Sequence, residues 1–290
     1  MDHGAYFIEL QGSAMSLAPT DERDLVDAQG TVHEIAGATA RIVSLVPSIT
    51  ELLFDLGLGG NVVGRTGFCI YPREHVRKVS KVGGTKSIEV SRIKRLAPTH
   101  LIVNIDENPR ATVEELSRFV PHVIVTHPLG PADNPRLYRL LGRIFLRDEA
   151  AHSLCRRFER NFQDTVSAAS LWPRQRVLYL IWKAPWMTVS RDTYISRMLG
   201  TVGWDTHVVK SEARYPSIDL RPALLSALDV VLLSTEPYTF RERHCVEIID
   251  QLPPGSHTRV ALIDGAMTSW YGSRAIQGLH YLRDFRAALG

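Results

Sequence analysis

A chain with one long amphipathic helix near its middle and short β-branched runs on both sides has few ways to fold. Here that helix lies in Asn134–Pro173, NPRLYRLLGRIFLRDEAAHSLCRRFERNFQDTVSAASLWP. Asn134 followed by Pro135 fits an N-cap with proline at the first helical position. Leu137, Leu140, Leu141, Ile144 and Phe145 mark one helical face. The face lapses at Arg147–Glu149, where Asp148 is placed to cap a second helix. Ala151, Leu154, Phe158, Phe162, Val166 and Ala169 then recur every three or four residues, until Trp172-Pro173 stops the pattern. About 23 residues at 1.5 Å each make a rod of about 35 Å, long enough to cross a whole domain. Such a rod is a strut between two halves or an ordinary surface helix, and its flanks decide between them.

Both flanks alternate strand and helix. In RIVSLVPSITELLFDLGLGGNVVG a strand, Ile42–Val46, ends at Pro47-Ser48. A helix, Thr50–Leu56, follows, with Ser48 as expected cap and Glu51 three residues on as a capping box. Further strands are expected at Val62–Val63, 82–84, 100–106 and 122–127, with helices at Ile88–Leu96 and Thr112–Phe119. Beyond the strut come strands at 176–182, 229–234 and 259–264, and helices at Tyr194–Val202, Arg241–Gln251 and Ser273–Ala288. Alternation at this spacing implies parallel sheets covered by helices. The expected fold is therefore α/β: two lobes, each a short, mainly parallel sheet flanked by helices, joined by one long central helix. The boundaries are a weakly ordered arm (1–23), an N-terminal lobe (24–133), the connecting segment (134–173) and a C-terminal lobe (174–290). The N-terminal lobe opens with a small hairpin turning at Gln29-Gly30.

Composition limits the function. A net charge of +3, with basic and acidic residues interspersed, argues against a nucleic-acid partner. Cys69, Cys155 and Cys245 are odd in number and far apart, so neither a disulfide framework nor a metal site is expected. No cofactor is expected either. The first thirty residues lack a basic stretch and an apolar core, and no run is long enough to span a membrane; on that ground the cytoplasm is the expected compartment, with the periplasm as the alternative.

Ligands of open parallel sheets bind beyond the carboxyl ends of the strands. Those ends carry Pro47, Ser48, Arg65, Phe68, Tyr71, Lys86, Asp106 and Glu107 in the first half. In the second they carry Trp182, Trp186, Glu236, Trp270, Tyr271 and Arg274. Amphipathic aromatics supply wide contact area at low entropic cost. Arginines hold carboxylates or phosphates with two parallel hydrogen bonds. Trp182 and Trp186 serve a pocket or cover the second lobe's core, and each arginine serves an anion or a surface ion pair. GGTK (83–86) lacks the rest of a phosphate-binding loop, and no nucleophile stands with a base. No catalytic residue is assigned. The alternative is a cytoplasmic enzyme or metallochaperone using His127 and Asp106.

The motif RIVSLVPSITELLFDLGLGGNVVG, the preceding VDAQGTVHEI and the helix-to-strand run IKRLAPTHLIV together resemble the helical-backbone (class III) substrate-binding proteins of ABC importers. That superfamily of metal receptors takes up cobalamin, haem and ferric siderophores. The likeness spans roughly residues 24–289 and implies a non-catalytic protein holding one small ligand between two lobes. By position, Pro47, Phe68, Tyr71 and Trp270 resemble the contacts of cobalamin binders, and Arg65 or Arg274 the anion contacts of siderophore binders. Members dock on a permease through one exposed glutamate per lobe. The matching positions here are Ser91, with Glu89 close by, and Arg221, which puts docking in doubt.

Overall fold

A computed structural model describes residues 22–37, 39–85 and 87–290. The expected arm at 1–23 falls almost wholly outside them, as does Lys86. The first lobe runs β1 (Ile42–Ser44), α1 (Pro47–Asp55), β2 (Val62–Arg65), α2 (Arg73–Val76), β3 (Ser80–Lys81), α3 (Val90–Leu96), β4 (His100–Asn104), α4 (Arg110–Ser117) and β5 (His122–Thr126). Two helices, α5 (Asn134–Ile144) and α6 (Asp148–Ala169), lead to the second lobe. There follow β6 (Gln175–Trp182), β7 (Met187–Thr188), α7 (Tyr194–Gly200), β8 (Trp204–Thr206), α8 (Pro222–Leu225), β9 (Val230–Ser234), α9 (Glu242–Ile249), β10 (Arg259–Ile263), α10 (Gly265–Ser269) and α11 (Arg274–Leu289).

The first sheet is parallel throughout, in the order β3-β2-β1-β4-β5. The second is β10-β9-β6-β7, with β8 pairing the start of β6; only β7 runs antiparallel. Both strand sets are nearly continuous apolar runs, as expected of strands buried on two faces. Period-two alternation sorts their side chains. Ile42, Val177, Tyr179 and Ile181 face inward into one hydrophobic core shared by both sheets, α1, α5, α6 and α11. Val43, Leu101 and Val103 feed a separate cluster outside the first sheet, and Leu178, Leu180, Val231 and Leu233 one outside the second. The strut is thus packed along one side rather than free-standing. Its 22 residues make about 33 Å of helix.

Local expectations fail at four places. Ser48 is no cap: α1 starts at Pro47, three residues before the expected Thr50, with Val46 at the cap position and no capping side chain. Ser48 is buried there, and Glu51 turns to Arg274 instead of back to the helix start. The third strand lies at Ser80–Lys81 rather than 82–84, because Gly83 adopts φ +111° and its amide neighbourhood folds back onto Ser87. The N-terminal hairpin shrinks to a single bridge, Val26 with Val32. Asp27 holds it against the first sheet, accepting from the amides of Gln29, Thr31 and Val125 and pairing with buried His33. Asn134 lies within the first turn of α5, whose cap is Asp133.

What Asn134 does instead joins the lobes. Its amide nitrogen donates to Tyr194 Oη at 3.0 Å, and its oxygen accepts from Gly272 N at 2.7 Å. One turn along, Tyr138 Oη donates to Gly272 O at 2.9 Å. Gly272 has φ +77°, and a Cβ there would stand 3.2 Å from Ser48 O. All these partners are buried. A side chain at 272 must strain the backbone and push the lobes apart. Gly272→Ala is expected to cost about 1–3 kcal/mol, and Asn134→Ala a similar amount for the polar atoms left unpaired, both measured by urea unfolding.

Candidate functional site

The carboxyl ends of the two sheets converge beside Gly272, and the residues around it reach across to the first lobe. Trp270 lies edge-on to Tyr71, with ring centres 5.8 Å apart. Arg274 sits 4.1 Å from the Tyr71 ring centre and 5.1 Å from that of Trp270, a cation held between two aromatic faces. Glu51 of α1 clamps the same guanidinium with bonds of 2.8 and 2.6 Å. Burial pushes the Glu51 carboxyl up, against the opposing pull of Arg274. Tyr271 donates its hydroxyl to Glu107 Oε1 at 2.5 Å. Trp270 Nε1 donates to Glu236 Oε1 at 2.6 Å, with Ser269 Oγ a second donor at 3.3 Å.

Among the described residues, two acids, Glu107 and Glu236, therefore lie in the floor of the cleft without an ion-pair partner. Burial raises both: Glu107 to about 7, helped by the nearby charges of Asp106 and Glu236, and Glu236 less far because Trp270 and Ser269 stabilise its anion. At the edge of this floor Asp106 meets Arg214 Nη2 at 3.1 Å and His127 Nε2 at 3.5 Å.

Around the polar floor stands an apolar rim. Phe68, Ile70, Ile105 and Tyr215 are each at least 36% exposed, and all lie at strand ends or on the loops beside them. Exposed large hydrophobics gathered on one edge mark a binding surface better than isolated ones do. Trp182, also exposed at a strand end, packs edge-on against Tyr238 at 5.5 Å, and Tyr238 lies on Phe240 of the second lobe's outer cluster.

The expected site residues thus divide. Tyr71, Trp270 and Arg274 meet in one stack, with Tyr271, Glu107 and Glu236 beside it. Phe68 stands on the rim, while Trp182 lies with Tyr238 on the outer cluster of the second lobe. Pro47 is half-buried and Ser48 buried at the start of α1, where Ser48 O backs Gly272. Arg65, Trp186 and Arg274 are already engaged within the protein. Arg65 is buried, and its guanidinium donates to the carbonyls of Val76 and Thr66, so it is no free anion contact. Trp186 stacks on Phe240 at 5.9 Å with planes 3° apart and covers the outer core of the second lobe. Arg274, expected as an anion contact, already has its carboxylate in Glu51. Glu51 itself was legible only as a helix-start acid, and Arg214 lies in a loop with no pattern to single it out. Among the described residues, no three His, Cys, Asp or Glu side chains converge into a metal site.

A family model described as "Periplasmic binding protein" matches residues 42–239, more than half of the chain. The chain belongs to this family. A vitamin B12-binding protein of Photorhabdus laumondii is 22% identical over 202 residues, covering 70% of this chain and 73% of the relative. Two solved structures share the fold. The periplasmic vitamin B12 binding protein of Vibrio cholerae superposes with a TM-score of 0.72 at 17% identity, covering 86% of this chain and 97% of its own. A periplasmic haem-binding protein from Roseiflexus sp. RS-1, in apo form, gives 0.72 at 22% identity, covering 87% and 98%.

The family is one of binding proteins rather than enzymes, which removes the ground for a catalytic His127–Asp106 pair; in the structure Arg214 engages both residues. The expectation of a cytoplasmic protein runs against periplasmic relatives and is set aside. Among the described residues no helix is long and apolar enough to cross a membrane. The doubt about permease docking also loses its support. Ser91 and Arg221 are both exposed, and each has an exposed acid two residues earlier, Glu89 and Asp219.

Glu107 makes the floor sensitive to pH with a definite sign. Its folded pKa of about 7 lies above the ordinary carboxylate value, so the folded chain holds a proton that the unfolded chain has released. Its stabilising contribution is complete in acid and disappears as pH rises through about 7. Glu107→Gln keeps an oxygen for Tyr271 but cannot ionise. The variant should unfold at a higher temperature than the parent at pH 8 and match it near pH 4.5, followed by circular dichroism.

Proposed function

We propose that this protein is a periplasmic, non-catalytic receptor that holds one cobalamin, haem or ferric-siderophore molecule between its lobes. The observation that carries this reading is the apolar rim of Phe68, Ile70, Ile105 and Tyr215 above a floor of buried acids and a stacked arginine. A large, flat ligand with an apolar face and polar edges suits such a surface, whereas a small sugar or amino acid leaves most of it wet. The named relatives that bind vitamin B12 and haem support the same class. The extensive contacts between lobes favour a cleft that flexes little, so the ligand is gripped mainly by surfaces already in place. The partner that takes the ligand on is an ABC permease, met through Glu89 on one lobe and Asp219 on the other.

Thermal unfolding with cyanocobalamin, haemin and ferric siderophores tests the reading. A ligand at one hundred times its dissociation constant adds about 2.7 kcal/mol, a shift of several degrees at most for a chain of this length. One class should produce it. Truncating a rim side chain removes burial of about 1.5–3 kcal/mol, so Phe68→Ala should weaken binding by an order of magnitude or more while leaving the ligand-free protein as stable as before. No shift with any of these ligands contradicts the proposal.

A further inference from the structure

Arg65, Arg274 and Arg214 stand around the cleft, and their guanidinium groups are engaged very differently. Arg65 is spent on two backbone carbonyls, and Arg274 is clamped through two nitrogens by Glu51. Arg214 is neither. It lies between β8 and α8 on a segment tied to the second lobe, where its carbonyl accepts from Ser190 N at 2.8 Å. From there its side chain crosses to the first lobe and approaches Asp106 Oδ2 at 3.1 Å and His127 Nε2 at 3.5 Å. The approach to Asp106 is an ion-pair distance without hydrogen-bond alignment: Nε and Nη2 are both buried and have no hydrogen-bond acceptor among the described residues.

A buried N–H without an acceptor costs free energy, more so on a charged group. Arginine presents five donors in a rigid fork suited to two oxygens of one carboxylate or phosphate. Arg214 therefore holds unused recognition capacity at the edge of the cleft, between the rim residues Ile105 and Tyr215 that adjoin Asp106 and Arg214 in sequence. Its present partner also has somewhere else to turn, because Asp106 Oδ1 lies 3.5 Å from His127 Nε2. Losing Arg214 leaves Asp106 beside the imidazole and near solvent, not isolated.

We propose that Arg214 is a displaceable bridge between the lobes, giving up Asp106 to grip a carboxylate or phosphate group on the bound ligand. The exchange presupposes the receptor reading above. It restricts the ligand class to molecules bearing an anionic group beside an apolar face. It also makes Asp106 an internal competitor for that group, so the cleft excludes uncharged apolar molecules that gain nothing from breaking the bridge.

Two probe pairs that differ in their anionic groups test the exchange by absorbance titration. Haemin is compared with its dimethyl ester, which lacks free carboxylates, and cyanocobalamin with dicyanocobinamide, which lacks the phosphodiester. The proteins are the parent, Arg214→Gln, Arg214→Lys and Asp106→Asn. In the pair that binds, the anionic member should bind the parent at least about tenfold more tightly than its counterpart, as for a charge-assisted hydrogen bond. Arg214→Gln should abolish that difference without weakening the counterpart, and Arg214→Lys should restore it in part. Asp106→Asn, which removes the competitor, should tighten the anionic member alone. Equal binding of both members, or an Arg214→Gln variant that weakens both alike, overturns the exchange while leaving the receptor reading intact. If neither pair binds the parent, the exchange falls, and the receptor reading is judged on the ferric siderophores of the thermal assay.

Discussion

Gly272 is the point at which three parts of the chain meet, and the rest of the cleft depends on it. Its amide and carbonyl are both taken by α5, through Asn134 and Tyr138, and its missing side chain lets the carbonyl of Ser48 approach. Backbone held at both ends in a left-handed conformation leaves its neighbours no freedom to drift. Trp270 and Tyr271 on one side and Arg274 on the other are therefore aimed at the first lobe at fixed angles. Tyr71, Glu107 and Glu51 receive them. The cleft floor is a consequence of this junction rather than an independent set of contacts.

Above that floor the structure separates two kinds of interaction. Polar groups are buried and paired with each other across the lobes, which fixes the geometry and leaves little net charge to attract an arbitrary ligand. Large apolar groups are left in water at the rim, which is unfavourable until something covers them. The shared core beneath, running from Ile42 through Leu141 and Phe158 to Val177, couples the two sheets as one body. Recognition then falls to rim shape and to the few groups that can exchange partners.

The α/β order was legible because buried parallel strands are written as β-branched runs and the helices between them as three-to-four periodicities. The resemblance of RIVSLVPSITELLFDLGLGGNVVG and IKRLAPTHLIV placed the family as well. The exceptions have physical causes. Ser48 and Glu51 satisfy the spacing of a capping box, yet Pro47 carries the helix start past Ser48 and Arg274 outcompetes the backbone for Glu51. β7 and β8 are two and three residues long, too short to show an alternation. Arg65 and Arg274 are both visible as arginines near strand ends, but the Val76 carbonyl and the Glu51 carboxylate that engage them lie elsewhere in the sequence and only folding brings them together. Trp182 and Trp186 both join an aromatic chain through Tyr238 and Phe240, more than fifty positions away, on the outer cluster of the second lobe.

Hydrogen exchange with and without the ligand that raises the unfolding temperature tests the central claim directly. The account predicts slowed exchange confined to the loops at the strand ends: residues 66–71, 104–108, 182–187, 208–216 and 235–240. Protection centred instead on residues 253–259, where Arg176, His257 and Arg259 line a separate hollow at the opposite end of the second sheet, would contradict it.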